Sequence, residues 1–161
     1  CQRAVLIKGN CCQLVFANRM LVFVQNKQFI QQLEHENGIM TELSRILVVD
    51  DNLTNLRYLI EGLEEDFDIR SVTTGEEALK VIGQFNPQLI LLDVMLPGID
   101  GYDVCRQIRS NSELSDVKII LISAKAMKNE RNKGYEAGAD FYITKPFAHD
   151  DLLATIGALN I

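Results

Sequence analysis

The sequence predicts an α/β fold, a doubly wound five-stranded parallel sheet with helices on both faces. Two observations carry that prediction. From about Ser44 onward a short apolar run rich in β-branched residues is followed by a helical pattern, five times in succession. The most apolar of these runs show no polar alternation, as expected of strands covered on both faces. With 161 residues, 47% of them hydrophobic, 24% charged and only three proline, the chain suits one ordinary globular core rather than a disordered or fibrous segment.

The expected strands are Arg45 to Asp50 (RILVVD), Phe67 to Thr73 (FDIRSVT), Leu89 to Asp93 (LILLD), Lys118 to Ser123 (KIILIS) and Ala139 to Thr144 (ADFYIT). Between them, Leu53, Leu56, Leu59, Ile60 and Leu63 recur at three-to-four spacing. So do Ala78, Leu79, Ile82 and Phe85, and then Val104, Cys105 and Ile108. Each set paints one apolar stripe on a helix. Met127 to Ala137 reads as a fourth helix stopped by Gly138, and Leu152, Leu153, Ile156 and Leu159 mark a fifth that runs to the end of the sequence. No output domain is expected after it, and the expected organisation is residues 44–161 as one domain.

Residues 1–43 stand outside this rhythm and read as an N-terminal extension or linker of unknown role. Ala4 to Ile7, Gln13 to Ala17 and Met20 to Val24 suit short strands, and Phe29, Ile30 and Leu33 suit one helical turn, but no motif with chemistry is present. The stretch from Leu14 to Val24 is broken by Asn18 and Arg19 and is too short to span a bilayer, which needs roughly 20 apolar residues. No membrane insertion and no secretory signal are expected.

The net charge of −6 is uneven, since residues 1–39 carry +2 and the remainder −8. An acidic body repels phosphates of nucleic acid, so no direct nucleic-acid binding is expected. Cys1, Cys11, Cys12 and Cys105 have no C-x-x-C spacing, which argues against zinc and fits a reduced cytoplasmic setting.

In an open parallel sheet, ligands bind beyond the carboxyl ends of the strands. Asp50 and Asp51 follow the first run, Asp93 ends the third, Ser123 ends the fourth, and Lys145 with Pro146 follows the fifth. Each residue has a plain reading: Asp51 or Asn52 as a helix cap, Asp93 as a polar strand end, Ser123 as a turn residue, Lys145 as a solvated lysine. Together they place three carboxylates, a hydroxyl and an ammonium at one edge. Like charges about 4 Å apart cost on the order of 4 kcal/mol at a surface-like dielectric, so a cation must offset them. Lysine supplies one charge, and clustered hard oxygen ligands suit Mg²⁺ with waters and phosphate oxygens. An Asp carboxylate is a competent nucleophile for phosphorus once the repulsion is screened, and lysine and serine can bind the other phosphoryl oxygens.

The segments ILVVDDN, LILLDVMLPGIDGYDVC, LISA and ITKPF, in this order and spacing, closely resemble response-regulator receiver domains of two-component His-Asp phosphorelay signalling, the chemotaxis regulators among them. The resemblance covers roughly Arg45 to Asn160. It implies a flavodoxin-like (βα)5 sheet with strand order 2-1-3-4-5, and phosphorylation of Asp93. It also implies Mg²⁺ held directly by Asp51, Asp93 and the Met95 carbonyl, with Asp50 acting largely through water. Ser123 and Lys145 would hold phosphoryl oxygens, and Tyr142 would be the aromatic switch that follows Ser123; its plain reading is a half-buried strand aromatic.

Pro97, Gly98 and Gly101 match the family loop after the acceptor, with Asp100 capping the helix that follows. Pro146 matches a proline preceded by a cis peptide bond. Met95 and Lys125 occupy positions that tune phosphoryl lifetime, and Met95, lacking a polar side chain to orient water, implies slow self-dephosphorylation. The implied partners are a sensor histidine kinase or histidine phosphotransfer protein as donor, and a protein target at the face of the fourth helix, fifth strand and fifth helix.

Two other functions compete. A haloacid-dehalogenase-type phosphohydrolase would want Asp two residues after its nucleophile, where Met95 stands. A pseudo-receiver used only for docking would usually lack one of Asp50, Asp51, Asp93, Ser123 or Lys145, and all five are present. The chain is thus expected to be no enzyme beyond its own phosphorylation and dephosphorylation. Its context, a stand-alone regulator or a receiver from a hybrid kinase or longer regulator, is open at this stage.

Overall fold

The computed structural model describes residues 43–161 in full, together with the backbone of three short strands that precede them. The chain divides into two compact units, Cys1–Glu42 and Leu43–Ile161. In the first unit, Met20–Phe23 lies between Ala4–Val5, which it pairs in parallel, and Leu14–Ala17, which it pairs antiparallel. The expected strands are there in shorter form; Ile7, Gln13 and Val24, and the expected turn at Phe29, Ile30 and Leu33, lie outside the described residues.

The second unit alternates strand and α-helix, with one short 3-10 helix, Ser112–Leu114, between α3 and β4: β1 Arg45–Val49, α1 Leu53–Leu63, β2 Asp68–Val72, α2 Gly75–Phe85, β3 Leu89–Asp93, α3 Gly101–Ser110, β4 Lys118–Ser123, α4 Lys128–Glu136, β5 Phe141–Thr144 and α5 His149–Ala158. All pairings are parallel, in the order β2-β1-β3-β4-β5. This is the flavodoxin-like order expected. Strand ends differ from the sequence reading where the apolar pattern gives out: Asp50 lies one residue past β1, Phe67 and Thr73 flank β2, and Ala139 and Asp140 precede β5.

Alternate residues of the central strands feed two cores. Ile46, Val48, Leu89, Leu91, Ile120 and Ile122 face α1 and α5, where Leu56, Leu59, Leu63, Leu152 and Ile156 cover them. Leu47, Val49, Ile90, Leu92, Ile119 and Leu121 face the opposite way, onto Ala78 and Ile82 of α2 and Val104, Cys105 and Ile108 of α3. Each such side chain, fully buried, contributes about 1.5–3 kcal/mol. The edge strand β2 is far less buried than β1, β3 and β4, as its mixed sequence DIRSV requires.

Helix starts are set by capping side chains. Asn52 accepts the amides of Thr54 (2.9 Å) and Asn55 (3.2 Å), Thr74 that of Glu77 (3.2 Å), and Asp100 that of Asp103 (2.8 Å). Helices α4 and α5 start without a side-chain cap, and Gly134 is the one buried residue of α4. Among the described residues no helix is long and apolar enough to cross a membrane.

Candidate functional site

The sheet register brings the carboxyl ends level. Val49 pairs with Val72 and Leu92, Asp93 with Ile122, and Ser123 with Thr144. Every residue just beyond those ends therefore opens onto one edge of the sheet.

At the end of β1 the chain turns back on Asp50, whose Oδ1 accepts the amide of Asn52 at 2.9 Å. Asn52 then caps α1 with its own side chain, so the choice left open between Asp51 and Asn52 falls to Asn52. Asp51 is exposed and has no hydrogen-bond or ion-pair partner among the described residues. Carboxylate oxygens of Asp50, Asp51 and Asp93 lie within 4.8 Å of one another.

Lys145 reaches across the sheet into this cluster. Its Nζ donates to Asp50 Oδ2 at 2.6 Å and to Asp93 Oδ1 at 3.0 Å. The peptide bond from Lys145 to Pro146 is cis, as the family pattern implied. Asp50 and Asp93 are nearly fully buried. Burial drives the Asp93 carboxyl above its ordinary pKa, assisted by Asp50 and opposed by Lys145 and the Met95 amide. Burial works against the Lys145 charge too, but the Asp50 and Asp93 carboxylates outweigh it and hold its pKa above the usual lysine value.

The loop after Asp93 is tied to it. Asp93 Oδ2 accepts the Met95 amide at 3.1 Å, while the Met95 side chain is exposed. A Cβ on Gly101 would sit 2.3 Å from the Asp93 carbonyl oxygen, so only glycine lets α3 begin this close to the strand end. Asp100 is a cap, as expected, and no part of the carboxylate cluster.

On the other side, Ser123 is fully buried and its Oγ accepts the Lys125 amide at 3.1 Å. Tyr142 is 5% exposed, more deeply buried than a half-buried strand aromatic, and its hydroxyl donates to the Lys125 carbonyl at 2.9 Å. A Cβ on Gly134 would lie 2.8 Å from the Tyr142 ring; the glycine in α4 makes room for it.

Asn55 was not anticipated. Its Nδ2 donates to both oxygens of Asp50, at 3.1 and 3.0 Å, and orients that carboxylate. Its position one turn into α1, five residues after Asp50, is the only sequence signal for it.

The donor set fits a hard divalent cation. Three carboxylates face a single ammonium, which leaves the cluster electronegative. One of the three, Asp51, is exposed and has no partner among the described residues.

The site lies on a chain whose residues 46–157 match the family model of the response regulator receiver domain, and the protein belongs to that family. The particular relatives agree. Response regulator MprA of Mycolicibacterium vanbaalenii is 41% identical over 116 residues, covering 71% of this chain and 49% of that protein. A response regulator structure from Chloroflexus aurantiacus superposes with a TM-score of 0.71 at 32% identity, covering 73% of this chain and 98% of the other. The manganese-bound form of response regulator Rcp1 does so with a TM-score of 0.61 at 25% identity, over 73% and 91%. The chain spans about half the length of the curated relatives it matches.

Proposed function

We propose that Asp93 is the phosphoacceptor of this receiver, taking a phosphoryl group from a phosphohistidine of a sensor histidine kinase or histidine phosphotransfer protein. The observation that carries this reading is the Lys145 ammonium shared between Asp93 and Asp50 inside a three-carboxylate cluster. A carboxylate oxygen of Asp93 forms the new O–P bond as the donor N–P bond breaks, and the bonding pair stays on the imidazole, which takes up a proton. Lys145 holds one phosphoryl oxygen through its charge, and the Ser123 hydroxyl, released from the Lys125 amide, donates to another. Asn55 and Lys145 keep Asp50 oriented throughout.

Asp51, Asp93 and the Met95 carbonyl would hold Mg²⁺, with Asp50 acting through water. When bound, the ion screens the repulsion between Asp93 and the incoming anion. The manganese-bound state of Rcp1 supports a divalent metal in this family.

Phosphorylation replaces the single charge of the Asp93 carboxylate with a phosphoryl group carrying about −1.5 to −2, a net gain of about −0.5 to −1 in an already acidic place, and Ser123 and Tyr142 respond to it. The output surface is the face of α4, β5 and α5, where Met127, Tyr135 and Phe141 are exposed. The chain's only chemistry is its own phosphorylation and slow hydrolysis at Asp93. Residues 44–161 carry the function, and residues 1–43 are an extension they do not require.

Incubation with acetyl phosphate and Mg²⁺, followed by intact mass, tests the reading. Wild type gains one phosphoryl group and Asp93→Asn gains none. No gain in wild type would favour a docking pseudo-receiver, and an equal gain in the variant would move the acceptor elsewhere.

A further inference from the structure

Helix α4 contributes almost nothing to the core, yet it covers the Tyr142 ring. What holds it is a polar cluster outside the carboxylate site. Tyr102 of α3, 5% exposed, donates its hydroxyl to Glu130 of α4 at both the carbonyl (3.2 Å) and Oε2 (3.1 Å). The Glu130 side chain is itself largely enclosed, and it pairs with Lys133 Nζ at 3.0 Å and Lys125 Nζ at 3.7 Å. These partners, Lys133 first, hold its carboxyl below the ordinary glutamate pKa. Burial pushes the Tyr102 hydroxyl up, and the neighbouring Tyr142 hydroxyl raises it further. Tyr102 is therefore a neutral donor, and Glu130 a charged acceptor, throughout the physiological range.

Lys125 is where this cluster meets the switch. Its amide is held by Ser123 Oγ, its carbonyl by the Tyr142 hydroxyl, and its ammonium by Glu130. Tyr102, Glu130, Lys125 and Tyr142 thus form a continuous chain of contacts that joins α3, α4, the loop between β4 and α4, and β5. We infer that Tyr102 is a positioning residue of the switch: its hydroxyl, acting through Glu130, holds Lys125 where it receives Tyr142 and binds Ser123. Without that bond the loop moves more freely, and Tyr142 loses the acceptor that keeps it inside. The inference rests on the proposed roles of Ser123 and Tyr142, but the contacts themselves can be measured without any phosphoryl donor.

The test is a double-mutant cycle on the full chain, Tyr102→Phe and Glu130→Ala, read by amide hydrogen exchange at Lys125 and by the NMR shift of the Tyr142 ring. Tyr102→Phe keeps the buried ring and removes only the hydroxyl. Each single variant is expected to speed exchange at Lys125 by about 3- to 10-fold, the size of one net hydrogen bond, and to shift the Tyr142 signal. The double variant should fall short of the sum of the single effects, since both changes break the bond between the Tyr102 hydroxyl and Glu130 Oε2, while the bond to the Glu130 carbonyl is lost only with the hydroxyl. Unchanged Lys125 exchange in Tyr102→Phe, or effects that simply add, would overturn the inference. A wild type that takes no phosphoryl group would instead remove the role of the switch, a failure visible in its mass alone.

Discussion

Lys145 Nζ stands 2.6 Å from Asp50 Oδ2 and 3.0 Å from Asp93 Oδ1, one ammonium shared by two buried carboxylates from different strand ends. The residues are 95 and 52 positions from it in sequence. Their pairing is the point at which β1, β3 and the end of β5 are joined electrostatically.

Lys145→Ala leaves Asp50 and Asp93 facing each other with only Asn55 and backbone amides as donors. Removing one partner of a buried pair is costly because the other charge stays uncompensated. Since the ammonium keeps some access to water, the expected loss is about 1–3 kcal/mol in urea unfolding without divalent metal. Added Mg²⁺ should restore more stability to the variant than to wild type.

The acidic site also predicts a pH dependence. The folded chain binds a proton at Asp93 more readily than the unfolded chain, whose carboxyl titrates near 3.8. The stability from that proton is fully present below the unfolded value and is lost as pH rises through the raised folded value. Ionised Asp93 therefore costs stability at neutral pH. Asp93→Asn, which removes the charge, should be more stable than wild type by about 1 kcal/mol at pH 7 without metal. Their thermal unfolding curves should converge as pH falls toward about 4.

Ser123→Ala removes the hydroxyl proposed to bind the phosphoryl group and frees the Lys125 amide. One hydrogen bond to a charged group corresponds to about a tenfold effect or more. Phosphorylation by acetyl phosphate, followed by mass over time, should slow by about tenfold while the acceptor remains Asp93.

Gly101→Ala places a methyl group against the Asp93 carbonyl and the Val94 Cα, both backbone atoms that cannot swing aside. A loss of about 1–3 kcal/mol is expected in chemical denaturation. Because the displaced atoms belong to Asp93 and its neighbour, phosphorylation should slow as well, whereas Gly83→Ala, which meets open space, should leave it unchanged.

Removing residues 1–42 is expected to shift the melting temperature of Leu43–Ile161 by less than about 4 °C, the change that roughly 1 kcal/mol produces in a domain of this size. A larger drop would show that the extension supports the receiver fold.

The sequence was most legible where one physical rule decides. The runs ILVV, LILL and IILI are strand-length and near-continuously apolar, which reads as strands buried on both faces, and their ends put Asp50, Asp93 and Ser123 at one edge. Less was legible where the deciding atoms come from distant elements. Asn55 reads as an ordinary polar residue on α1 until the fold places its amide over Asp50. Tyr102 lies outside the α3 stripe of Val104, Cys105 and Ile108, and only the adjacency of α3 and α4 reveals Glu130 as its acceptor. The bounds of β2 and β5 shifted because edge strands carry mixed sequences whose burial depends on neighbours.

Helix α4 commits only Gly134 to the interior, so nearly all of its letters are free of folding duty. Its outward residues, Lys128, Asn129, Arg131, Asn132 and Tyr135 among them, can be exchanged without opening a cavity. A duplicated copy of this gene could therefore acquire a new listener by rewriting one short segment while its chemistry stays intact. On the proposed output face, recognition and phosphotransfer would then be inherited as separable traits.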